Sequence, residues 1–224
     1  MNPIEGTGAT QGAGGAPATI GECPGVDDLV RWITRLLERM GGAVRIDPMG
    51  ENLCRRGRAD AGEPEFVIEA EGLPNLVHEL VHALFLGRLD DDHGFDYGLI
   101  PLDLALAEHR RHLWEELACC VVSVAYGCDS HATARQRLDW FIEQFEIQGV
   151  FHGLEHDLPG FRARIEGVIA NPPLRAELEH TIARGYALVA EGLVAVGAPP
   201  SQTGPIVDVS FDGLWAEYRA IWRP

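Results

Sequence analysis

A mainly helical α+β fold, with a small sheet in the N-terminal half, is predicted by three features of the chain. Apolar residues recur at helical spacing over most of the sequence from Val26 onward. Two short runs, Ala43–Ile46 and Phe66–Ile68, have strand character instead. Directly after the second comes a helical stretch, Leu73 to Leu86, that carries His78-Glu79-Leu80-Val81-His82 and leads to a helical C-terminal half.

In chain order, residues 1–22 are rich in Gly, Ala and Thr and are expected to form a disordered leader. A single metal-binding domain is expected over 23–198, and a linker with a C-terminal docking helix over 199–224. Val26, Leu29, Val30, Ile33, Leu36 and Leu37 mark a helix that Gly41-Gly42 ends. Asn52 to Pro64 reads as a loop whose Arg55, Arg56 and Arg58 suit a solvated face or a substrate carboxylate. Strand character extends over Glu65 to Ala70, and Gly72 and Pro74 open the motif helix, which closes near Gly87. Leu102 to Tyr126 predicts a long helix starting near Asp103 and stopping at Gly127. Further helices are predicted over 131–148, Phe161 to Ile169, Leu174 to Val196, and Phe211 to Trp222.

Composition narrows the function. A formal charge of −16, with Arg supplying all 18 basic residues, argues against nucleic acid as a partner. No run is long and apolar enough to span a bilayer, and the N-terminus lacks a signal-peptide pattern. Five cysteines, an odd number without framework spacing, suit a reducing cytoplasm. The oligomeric state is left open.

On a helix, residues four apart lie one above the other, so His78 and His82 can aim two imidazole nitrogens at one point. That is half of a tetrahedral zinc site. Glu79, about 100° round the axis from His78, suits a general base acting on a metal-bound water. The sequence at this point resembles the zincin metallopeptidases, which carry His-Glu-x-x-His on a helix after an edge strand. The resemblance covers roughly residues 65–126 and implies a zinc-dependent hydrolase of a peptide or small-molecule amide bond, catalysed by metal-activated water.

In the gluzincin branch a Glu on a later helix, within Glu-x-x-Ala, supplies the third ligand. Glu115-Glu116-Leu117-Ala118 resembles that unit and implies His78, His82 and Glu115 as the metal ligands. Cys119 stands where the family more often has Asp or Asn. Glu116 is the fallback, and Asp92 and Asp96 are further carboxylates in reach of the sequence pattern. Tyr97 or His93 takes the oxyanion-stabilising role that zincins give to a Tyr or His.

Two other functions fit the same motif. Glu79-x-x-His82 is also the Glu-x-x-His unit of di-iron bundles, so a non-haem Fe(2+) oxidase or oxygenase could use this helix with Glu143, Glu146 or His156. A non-catalytic zincin-like binding or regulatory module is the third possibility. His112 could support the ligands from the long helix, and His152 or His156 could serve substrate or proton transfer.

Overall fold

The structure, a computed structural model, describes residues 26–222 apart from 51, 87–101, 129–130 and 155. Its first helix, α1 (Val26–Arg39), buries Leu29, Ile33, Leu36 and Leu37 on one side, as their spacing predicts. Strands β1 (Gly42–Ile46), β2 (Leu53–Arg56) and β3 (Phe66–Ala70) form a mixed sheet in the order β1-β3-β2. β3 runs parallel to β1, with Val44 opposite Ile68, and antiparallel to β2, with Cys54 opposite Ile68. Its Phe66, Val67, Ile68 and Ala70 are all buried, as a strand covered on both faces requires.

β2 replaces part of the expected 52–64 loop. Leu53-Cys54-Arg55-Arg56 lacks an alternating apolar pattern, and what holds it is tertiary. Cys54 is buried, and Arg55 is bridged to Glu63 at 2.6 Å and to Glu69 at 3.2 Å. Arg58 also reaches Glu63. Two of the clustered arginines thus answer to carboxylates of this chain.

Helix α2 (Leu73–Leu86) follows β3 and carries the motif. Helix α3 (Ala107–Gly127) is the central element: Cys119, Val122, Ala125 and Tyr126 face the core shared by the sheet, α1 and α2. Leu113, Leu117, Cys120, Val121 and Val124 face a second core. That second core is built with α4 (Ala134–Phe151), α5 (Leu158–Ile169), α6 (Pro172–Ala195) and α7 (Phe211–Ile221).

Local chemistry explains most boundary differences. Asp103 accepts from Ala105 N at 2.9 Å and from Leu106 N through its carbonyl at 3.0 Å, making a turn that delays α3 to Ala107. Thr133 and Gln136 form a reciprocal cap that starts α4, and Asp157 and Asn171 cap α5 and α6. The segment expected to be a linker is tied down: Ile206 N donates to Ala125 O at 2.8 Å and Tyr126 Oη to Thr203 O at 3.1 Å. α7 docks on its own chain through buried Phe211, Leu214, Trp215 and Tyr218.

Gly127 sets how closely α3 approaches α2. A Cβ there would lie 2.5 Å from Pro74 Cα, so only glycine lets the end of α3 cross the start of α2 at this distance. Residues 1–22 and 87–101 of the expectations above lie outside the described residues. Among the described residues no helix is long and apolar enough to cross a membrane.

Candidate metal centre

α2 is held on several sides. Leu76, Val77, Leu80, Val81 and Ala83 are buried among the sheet, α1, α3 and α6, which fixes the rotation of the helix about its axis. His78 and His82 therefore emerge together towards α3, with Nε2 atoms 3.2 Å apart and ring centroids 5.0 Å apart.

α3 brings a carboxylate to the same place. Glu116 Oε2 lies 3.6 Å from His78 Nε2 and 3.4 Å from His82 Nε2. Three donor atoms thus form a triangle with edges of 3.2, 3.4 and 3.6 Å. Donors bound tetrahedrally to zinc at about 2.0–2.1 Å stand about 3.3–3.4 Å from each other, so one ion fits all three with little movement. The side chains of His78, His82 and Glu116 are largely buried, with 9%, 17% and 21% exposure.

Cys119, one turn after Glu116 on α3, forms a second group with the same two imidazoles. One ligand atom each from His78, His82 and Cys119 lies within 4.8 Å of the others, and these residues could hold a metal ion. Cys119 is fully buried. Glu79 is buried as well, at 7% exposure, and its charge is felt by the Cys119 thiol.

Without an ion, the electrostatics pair a protonated imidazole with a carboxylate. Burial works against ionising Glu116, yet the charge of His82 and hydrogen bonds from both imidazoles hold its carboxyl well below the usual range. Burial likewise opposes a charge on His82, and its acidic neighbours outweigh that and raise its pKa well above 6.5. Burial pushes the Cys119 thiol up to about 12, so it carries no charge near neutral pH. Glu116 is accordingly the group that favours the imidazolium. A divalent ion would supply the positive charge that the proton supplies without it.

The expected third ligand, Glu115, lies elsewhere: its carboxylate is 3.8 Å from Arg111 Nε, and Glu116 takes the place beside the imidazoles. The reason is angular. Taking Cys119 as the reference on α3, Glu116 lies about 60° to one side and Glu115 about 40° to the other. The side of Glu116 is the seam between α2 and α4, where it meets both imidazoles and also Gln148 Nε2 of α4 at 3.0 Å. Gln148 is fully buried and was not among the sequence candidates; its signal is a polar residue in register with Phe141 and Phe145 on the apolar face of α4.

Other candidates are not brought in. Glu146 is bound by Arg162 and by Tyr218 Oη, the latter at 2.6 Å, and Glu143 and His156 are exposed. His152 is buried with its ring 6.2 Å from Phe161, and His112 is half-buried on α3. Asp92, His93, Asp96 and Tyr97 lie outside the described residues. β3, which precedes the motif helix, is the central strand and is paired on both sides, where the resemblance implied an edge strand. Comparisons with family models, with curated proteins and with solved structures found no match to this chain.

Proposed function

We propose that the protein is a zinc-dependent hydrolase of amide or peptide bonds, working in the manner of the zincins that its motif resembles. The observation that carries this is the triangle of His78 Nε2, His82 Nε2 and Glu116 Oε2, whose edges of 3.2–3.6 Å suit tetrahedral zinc. An octahedral ferrous ion would draw neighbouring donors to about 3.0 Å, and Glu146, a carboxylate that an iron centre would recruit, is engaged with Arg162 and Tyr218.

Zinc bound there would acidify a water and polarise a carbonyl. Glu79 follows His78 in the motif and is buried, and in this reading its carboxylate takes the proton of an attacking water and returns it to the leaving nitrogen. His78 and His82 serve as neutral donors, and Glu116 balances part of the charge of the ion. β3 itself is paired on both sides, so an extended polypeptide could not add to it as a strand.

The test is metal analysis of the purified protein, followed by hydrolysis of a panel of blocked dipeptides and small amides. One zinc per chain is expected, and Glu79→Gln should keep the zinc while turnover falls by about 10²- to 10⁴-fold. Absence of zinc, or wild-type turnover by Glu79→Gln, would overturn the proposal. One observation favours a second, non-catalytic function: Cys119 is near enough to close the site. Stoichiometric zinc without hydrolysis across the panel would support that alternative.

A further inference from the structure

We infer that Cys119 is the fourth protein ligand of the resting metal site, so that two residues from α2 and two from α3 surround the ion. This rests on the metal-binding proposal for the same site and adds to it a ligand that must leave before water can enter.

The placement is paired on both helices. His78 and His82 stand one turn apart on α2, and Glu116 and Cys119 stand one turn apart on α3, facing them across the helix interface. The Cys119 ligand atom lies within 4.8 Å of those of both histidines. In a tetrahedral site with zinc–sulfur at about 2.3 Å and zinc–nitrogen at about 2.0–2.1 Å, the sulfur would lie about 3.6 Å from each nitrogen, a spacing compatible with the 4.8 Å limit.

Cys119 is completely enclosed, so a thiolate formed there would depend on the ion to neutralise it. Cys120 is the internal contrast: it is equally buried, but it faces the second core among apolar side chains. Forming the Sγ–metal bond releases the thiol proton to solvent. Opening the position for water breaks that bond and returns a proton to Sγ, with no change of oxidation state.

The experiment loads the full-length apo protein with Co(II), counts the bound metal, and records the near-ultraviolet absorption, with zinc-edge X-ray absorption on the zinc-loaded protein. Wild type should bind one cobalt with a thiolate-to-cobalt charge-transfer band, and the zinc edge should show one sulfur at about 2.3 Å. Cys119→Ser should bind one cobalt and lose the band, and Cys120→Ala should keep it. Wild type with one cobalt and no band, or a band that survives Cys119→Ser, would overturn the inference while leaving the metal site standing. Failure to bind any cobalt would overturn both. A band without any hydrolysis of the amide panel would uphold the Cys119 ligand and count against the hydrolase. If Cys119→Ser does not fold, the wild-type absorption and X-ray data decide alone.

Discussion

Gln148 Nε2 donates at 3.0 Å to Glu116 Oε2, the same oxygen that faces both His78 and His82. The glutamine comes from α4 and is fully buried, so the carboxylate is clamped between two helices rather than left to rotate. A ligand oriented in this way loses less freedom when it takes up an ion.

Gln148→Leu removes that donor without opening a large cavity. Metal affinity should fall by about 10- to 100-fold, with one ion per chain still bound at saturation. Competition with a chelator of known affinity reads the change. An affinity equal to wild type would mean that Glu116 is positioned by α3 alone.

The two adjacent glutamates separate cleanly. Glu116→Gln replaces a charged donor in the triangle and should lower zinc affinity by at least about tenfold, whereas Glu115→Gln, whose partner is Arg111, should leave it unchanged. Isothermal titration of the two variants side by side checks this, and the reverse order would return the ligand role to Glu115.

Much of the architecture could be read from spacing because apolar residues at helical intervals mark each helix, even α3, which faces two cores. The motif helix, both histidines and the Gly127 stop are local features, and local features survive in sequence. β2 was hidden because its ordering comes from Arg55 meeting Glu63 and Glu69, residues eight and fourteen positions away. The third donor was hidden for a different reason. Glu115 and Glu116 straddle the direction of Cys119 on α3 by about 40° and 60°, so periodicity cannot choose between them, and the position of α4 decides. Gln148 left a weaker trace, a polar side chain in register with Phe141 and Phe145, whose meaning depends on knowing what it faces.

Acid should weaken the sheet. Hydrogen bonds from Arg55 and from the backbone and side chain of Arg58 hold Glu63 well below its ordinary 4.5. A carboxyl with a lowered folded-state pKa contributes stability that is present above its unfolded value and lost as pH falls through the folded one. Wild type should therefore be more stable than Glu63→Gln at neutral pH, with the gap narrowing below about pH 4.3. Thermal unfolding of both proteins across that range tests it, and a gap independent of pH would contradict the assignment.

Gly127→Ala places a methyl group against the backbone of Pro74, where a flexible side chain is not available to yield. Overpacking of this kind costs about 1–3 kcal/mol. The strain falls on the α2–α3 contact that sets the distance between the histidines and Glu116, so metal affinity should drop together with stability. Urea unfolding gives the first quantity and metal titration the second. A stability loss with unchanged affinity would show that the site is insulated from the helix crossing.

Removing the metal should destabilise the protein through the same helices. An ion that binds only the folded chain stabilises it by about 2.7 kcal/mol when present at 100 times its dissociation constant. For a domain of this size that corresponds to roughly 5–10 °C in melting temperature. Without the ion, Glu116 and the imidazoles keep a proton-mediated attraction, since burial disfavours their charges yet each holds the other ionised. The fold should therefore persist on chelation with a lower melting temperature. His82→Ala should show a smaller zinc-dependent rise in melting temperature than the wild type, because one of the donors to the shared ion is lost. Equal melting of the wild type in zinc and in chelator would exclude a bound ion bridging α2 and α3.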